Sequence, residues 1–320
     1  MSKPPFLGLP PAVRAHRLST ARGEFAVHEA GEPRLGTALL VPGFTGSKED
    51  FIALLDPLAG MGYRVVAVDG RGQYETEGPR EESAYAQPEL ARDVLALAEA
   101  LLEGAESPGP AAGVHLLGHS LGGLVSRAAV LRDSSLFASL TLMSSGPAAV
   151  STSQQRRLKM LLGALGVMEM EEIWQAMLEL DPVEAADEET PPDVAEFLHR
   201  RWMAHVPEQL SATAQQLITE PDRVDELAAA VSGRPDPLPV HVLSGSVDYA
   251  WPVPLLDETA VRLGAVRTVV AGAGHSPNAE RPGETARALA SFWSEGAGGN
   301  GGGDSDGDEG RDGGPGGVSP

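Results

Sequence analysis

The stretch GVHLLGHSLGGLVSRA, residues 113–128, holds the pentapeptide Gly118-His119-Ser120-Leu121-Gly122 between an apolar run and a helical repeat. Val114 to Leu117 is short, apolar and followed at once by small residues, which is the pattern of a buried strand. Leu121, Leu124, Val125 and Ala128 then recur at helical spacing. A serine between strand and helix, with glycine two residues before and two after, reads as a nucleophile elbow. The chain folds back sharply there, which only small neighbours allow, and the serine takes a strained conformation that lifts its hydroxyl clear of the sheet. G-x-S-x-G alone is a weak signal; the flanking strand and helix make it a strong one. A glycine-rich turn with a bystander serine is the weaker reading in this context.

Working outward, the same alternation continues. Thr37–Val41, Arg64–Asp69, Ser139–Met143, Val240–Leu243 and Arg267–Val270 are further apolar, β-branched runs ended by turn residues. Leu90, Val94, Leu97 and Leu101 keep helical spacing between two of them, as do Ala286, Leu289 and Trp293 after the last. Near-continuous apolar strands alternating with helices mean a mostly parallel central sheet covered on both faces, an α/β fold. Residues 14–30, around Arg22-Gly23, read as a leading antiparallel hairpin. One region has no strand pattern: 148–231 reads as five helices, at Gln154–Leu165, Met168–Leu180, Asp193–His205, Glu208–Thr219 and Arg223–Val231. The expected organisation is a core of 1–147 and 232–295, an inserted helical cap at 148–231, and an acidic Gly/Asp-rich tail at 296–320. Ligands of such sheets sit beyond the carboxyl ends of the strands, so the cap is expected over the site.

A serine hydroxyl needs a base, and the base needs an orienting acid. Of eight histidines, His28, His115 and His241 fall in predicted strands, His199 and His205 in the cap, and His16 near the start. His119 adjoins the serine and is read as facing elsewhere on the turn. His275 follows the last predicted strand, in AGAGHSPNAERP, where a loop can carry it over Ser120. The acid is expected after a strand between the two. Asp248 in LSGSVDYAWP meets this, whereas the loop after SLTLM reads Ser144-Ser145-Gly146-Pro147 and offers no carboxylate. An aspartate in such a loop can also simply cap the next turn. A tetrahedral oxyanion needs preorganised N–H donors. The backbone amide of Leu121 is the first candidate. The second comes from PGFTGSKEDF after TALLV: Pro42 has no N–H, leaving Phe44 or Gly43, with Phe44 the choice. This set calls for neither metal nor organic cofactor.

Composition narrows the partners. The formal charge of −21 disfavours nucleic acid and anionic membrane surfaces, both of which it repels. No apolar run approaches the ~20 residues of a membrane span. The start, MSKPPFLGLPP, lacks the apolar stretch of about 7–15 residues found in a secretory signal. With no cysteine there is no disulfide and no thiolate nucleophile, which fits a cytoplasmic location. The tail carries five acids, one Arg and no large apolar residue except Val318, and is expected to be disordered.

With elbow, acid, base and oxyanion loop in place, the chain resembles the α/β-hydrolase superfamily over roughly residues 14–295. The resemblance is carried by PGFTG (42–46), DGRGQ (69–73), GHSLGG (118–123), GSVD (245–248) and GHSPNAERP (274–282). The family's usual first loop begins His-Gly, where this chain has Pro42-Gly43. Members commonly read D-x-R-G-x-G-x-S where this chain reads DGRGQYETEG. The FTG and HSLGG wording is most similar to carboxylesterases and monoacylglycerol-lipase-like serine hydrolases. The resemblance therefore implies cleavage of a carboxylic ester through an acyl-enzyme, and an apolar small-molecule ester is the expected substrate. Carbon–carbon bond hydrolases, thioesterases, amidases, acyltransferases and perhydrolases keep the same serine, and a non-catalytic binding member is a further alternative. The cap is rich in Leu161, Leu165, Met168, Ile173, Trp174, Met177, Phe197, Leu198 and Trp202. Packing between cap helices accounts for them, and an acyl pocket is the sharper reading.

Overall fold

The computed structural model describes residues 2–103, 113–180 and 190–297. Its strands are β1 (Val13–Thr20), β2 (Gly23–Ala30), β3 (Gly36–Val41), β4 (Tyr63–Val68), β5 (Val114–His119), β6 (Phe137–Met143), β7 (Val240–Gly245) and β8 (Val266–Val270). Among the described residues the helices longer than four residues are α1 (Ile52–Gly60), α2 (Gln87–Glu103), α3 (Leu121–Arg132), α4 (Thr152–Leu165), α5 (Met170–Leu180), α6 (Pro192–Ala204), α7 (Pro207–Thr219), α8 (Val224–Ser232), α9 (Val253–Leu263) and α10 (Pro282–Ala297). The strands form one sheet of order β1-β2-β4-β3-β5-β6-β7-β8. The β1–β2 hairpin and its β2–β4 junction are antiparallel, and every pairing from β4 to β8 is parallel. Each strand read from the sequence lies within two residues of its expected bounds.

Period-two alternation within apolar strands decides which helices cover which face. In β3, Leu39 and Val41 join one cluster while Ala38 and Leu40 join the other; in β4, Val66 and Val68 oppose Val65 and Ala67. The first cluster is completed by α2, α3, α8 and α9 with Leu217 of α7, the second by α1 and α10. Both faces of the sheet are thus buried, which is why its central strands read as unbroken apolar runs.

The helices between β6 and β7 divide by packing partner. Ile173 and Trp174 of α5 and Val194, Phe197, Leu198 and Trp202 of α6 form a cluster of their own with Leu210. Val224, Leu227 and Val231 of α8 instead belong to the sheet's first cluster, against α3 and α9. α4 has no buried residue, and Met160, Met168 and Met203 face solvent. The tail expected from 296 onward falls, from 298, outside the described residues. Among the described residues no helix is long and apolar enough to cross a membrane.

Candidate active site

The turn from β5 to α3 is built by steric necessity. A Cβ on Gly118 would lie 2.3 Å from Gly122 O, and one on Gly122 would lie 2.4 Å from Val41 O, so neither position admits a side chain. Ser120 sits between them at φ 54°, ψ −118°, a region non-glycine residues rarely occupy. Its N–H donates to Met143 O on β6 at 2.9 Å, and its carbonyl accepts Gly123 N–H at 2.9 Å. The elbow is thereby fixed to β3, β5 and β6 together.

The loops after β7 and β8 are pressed against each other. A Cβ on Gly245 would meet Gly274 O at 2.1 Å, and Val247 N–H donates to Ala273 O at 3.3 Å. This contact brings Asp248 to His275: Nδ1 of the imidazole lies 3.0 Å from Oδ1 and 2.9 Å from Oδ2. Asp248 Oδ1 also accepts the N–H groups of Ala250 and Trp251, at 2.8 and 3.0 Å. The aspartate therefore caps its turn and faces the imidazole at once. With Nδ1–H given to the carboxylate, a neutral ring keeps Nε2 as acceptor. Glu280 clamps the loop on both sides of His275, accepting Gly274 N–H at 2.6 Å and Ser276 N–H at 3.0 Å. The rings of Tyr249 and Trp251 lie 4.7 and 6.4 Å from that of His275.

Ser120 and His275 are joined through His119. Its Nε2–H donates to His275 O at 2.9 Å, tying the base's backbone to the residue before the serine. Burial, with the nearby His275 adding to it, pushes the His119 pKa down to about 3, so this ring stays neutral. Among the described residues Ser120 Oγ has no hydrogen-bond partner of its own.

The loop after β3 closes the site from the other side. It turns at Gly43–Gly46, where Gly46 N–H donates to Gly43 O at 3.2 Å, and a Cβ on Gly43 would lie 3.3 Å from Ser120 Cβ. The amides of Phe44 and Leu121 donate to no acceptor among the described residues. The loop is held from below by the segment after β4. Asp69 accepts Lys48 N–H at 2.7 Å, and Lys48 Nζ reaches Asp69, Glu49 and Glu75 at 2.9, 2.9 and 2.7 Å. Gln73 Nε2 donates to Gly43 O at 2.8 Å and Phe44 O at 3.1 Å. From α6, Arg201 pairs with Asp50 at 2.6 Å, both fully buried, while Asn278 of the histidine loop donates to Asp50 O at 2.7 Å. Among the described residues no group of three or more His, Asp or Glu could hold a metal ion.

The sequence profile of the alpha/beta hydrolase family matches residues 38–288, from β3 into α10. This chain belongs to that family. Similar solved structures include an esterase of Thermogutta terrifontis, with TM-score 0.68 and 21% identity, covering 89% of this chain and 99% of that one. A carboxylesterase of the thaumarchaeon Nitrososphaera gargenis gives 0.67 and 20%, over 88% and 98%. An enol-lactonase of Burkholderia xenovorans gives 0.66 and 19%, over 87% and 100%. These likenesses establish the shared fold. No curated protein sequence matches the chain.

In this alpha/beta hydrolase the five residues singled out from sequence lie at the carboxyl ends of the strands, Ser120, Asp248, His275 and Phe44 on the turns and loops there and Leu121 at the first position of α3. Gln73 and Glu280 were not named in that reading, and His119, expected to face elsewhere on the turn, instead meets the backbone of His275 at 2.9 Å. His119, Gln73 and Glu280 all act on backbone groups, of His275, Gly43 and Phe44, and the two amides flanking His275. Gln73 and Glu280 stand inside the DGRGQ and GHSPNAERP runs, and that position was the one available hint.

Proposed function

We propose that this protein is a serine hydrolase that cleaves an apolar small-molecule carboxylic ester through an acyl-enzyme. In this reading Ser120 Oγ attacks the ester carbonyl as His275 Nε2 takes its proton. Asp248 fixes the tautomer and stabilises the imidazolium that forms. The backbone amides of Phe44 and Leu121 receive the oxyanion, each worth about 3–4 kcal/mol of barrier. His275 then returns the proton to the leaving alcohol, and a water activated by the same ring releases the acid. The observation that carries the proposal is the bidentate approach of Asp248 to His275 Nδ1, which leaves Nε2 as the free acceptor on the loop tied to the elbow.

The test is release of p-nitrophenolate from the acetate, butyrate and decanoate esters by wild type beside Ser120→Ala. Wild-type turnover on at least one ester, abolished in Ser120→Ala, is expected. Release that survives Ser120→Ala assigns the chemistry to another group. No release on any chain length favours one of the other chemistries of the fold or a ligand-binding role.

A further inference from the structure

We infer that Gln73 is a positioning residue for the oxyanion loop: its side-chain amide holds the Gly43–Phe44 peptide so that the Phe44 N–H is presented to the tetrahedral intermediate. The inference rests on the serine-hydrolase reading above and deepens it.

Gln73 is 5% exposed and leaves the loop after β4 beneath the turn at Gly43. Its Oε1 accepts Gly70 N–H at 3.1 Å, and its Nε2 meets two carbonyl oxygens, Gly43 O at 2.8 Å and Phe44 O at 3.1 Å. The surroundings fix which end is which. A flipped amide would set an oxygen against two oxygens and an NH₂ against an N–H.

Gly43 O and Phe44 N belong to one planar trans peptide, in which C=O and N–H point in opposite directions. Drawing that carbonyl toward Gln73 therefore turns the Phe44 N–H away from Gln73. A hydrogen bond accepted by the carbonyl also polarises the N–H of the same unit and strengthens it as a donor. Glycine at 43 has the freedom to let this peptide rotate, and the turn's own bond from Gly46 N–H is long, at 3.2 Å. Gln73 supplies the shorter bond and also holds the next carbonyl along.

A cavity of about 40 Å³ lies beside this side chain, lined among others by Val41, Pro42, Gly70, Leu121 and Gly122. Truncation to alanine would enlarge it enough for a water to take over the amide's bonds. The informative variants therefore keep the volume: Gln73→Met, which removes the donor, and Gln73→Glu, which sets a carboxylate against the two carbonyls.

Steady-state kinetics on p-nitrophenyl butyrate, thermal melts, and inhibition by an aryl boronic acid, which forms a tetrahedral serine adduct, test the proposal. The expected result is a kcat lower by about 10–100-fold, with wild type above Met above Glu and KM within about twofold. Boronate affinity should fall in the same order, including in whichever variant melts within a few degrees of wild type. If both variants keep kcat within twofold of wild type, the positioning role is wrong while Ser120-dependent turnover of the wild type still upholds the hydrolase reading. A loss confined to KM or to Tm likewise overturns it, leaving Gln73 a purely structural residue. Absence of Ser120-dependent turnover in the wild type removes both.

Discussion

Ser120 holds its φ of 54° at a cost of about 1–3 kcal/mol for a non-glycine residue, and the surrounding backbone contacts enforce it. Gly122 is one of the positions that admit no side chain. A Cβ there would lie 2.4 Å from Val41 O and 2.5 Å from Pro42 O, so its absence is what lets α3 start this close to the end of β3. Gly122→Ala should lower both Tm and the yield of folded protein, and a melt within one degree of wild type would contradict the tight elbow. Asp248 carries a separable prediction. Asp248→Asn preserves shape but offers Nδ1 a donor amide or a neutral oxygen. On the mechanism proposed, kcat should fall by about 10⁴-fold with little change in Tm. A fall of less than tenfold would make Asp248 a turn cap alone. The residues legible in the sequence were those whose side-chain type is itself the chemistry: a serine between strand and helix, a carboxylate and an imidazole after later strands. Gln73, His119 and Glu280 were not legible because their partners are backbone groups, and a carbonyl or amide brought near by folding leaves no mark in residue type.

Among the elements, α6 and the loop after β3 are tied by charge. Arg201 and Asp50 are both fully buried, and Arg201 also donates to Ser47 Oγ at 3.3 Å and Ser2 O at 2.8 Å. Burial drives the Asp50 pKa up, and the guanidinium opposes that shift by favouring the charged form. Removing one partner strands the other in a dry site. Arg201→Ala should therefore cost about 3–5 kcal/mol of stability by urea titration, whereas the double replacement Arg201→Met with Asp50→Leu should recover most of it. Equal destabilisation by single and double variants would contradict a stranded charge. The sheet strands were legible because two-sided burial demands unbroken apolar runs. The partition of the inserted helices was not. An amphipathic repeat shows that a face is buried, but not whether its partner is α3, as for α8, or a neighbouring helix, as for α5 and α6.

At the scale of the whole molecule, histidine burial makes the fold acid-sensitive. Burial lowers the pKa of His28, His115, His205 and His241 to about 4 and that of His119 to about 3, all from 6.5. Between pH 6.5 and about 4 the unfolded chain takes up these protons and the folded chain does not, so stability falls as pH falls. Each such histidine accounts for about 2 kcal/mol between pH 7 and pH 5. Burial raises the Asp69 pKa to about 7 against the pull of Lys48, and its proton uptake works in the opposite direction across the same range. Asp50, also raised by burial, acts in the same direction as Asp69, and five histidines against these two carboxylates predict a Tm well below the pH 7 value at pH 5. A Tm that holds or rises on acidification would contradict neutral burial of these rings.

The most direct measurement is to treat the full chain with a fluorophosphonate and map the adduct by peptide mass spectrometry. The account predicts one modification, on the peptide carrying Ser120, absent in Ser120→Ala and formed far more slowly in His275→Ala. An adduct on another residue, or labelling that is indifferent to either substitution, would contradict it.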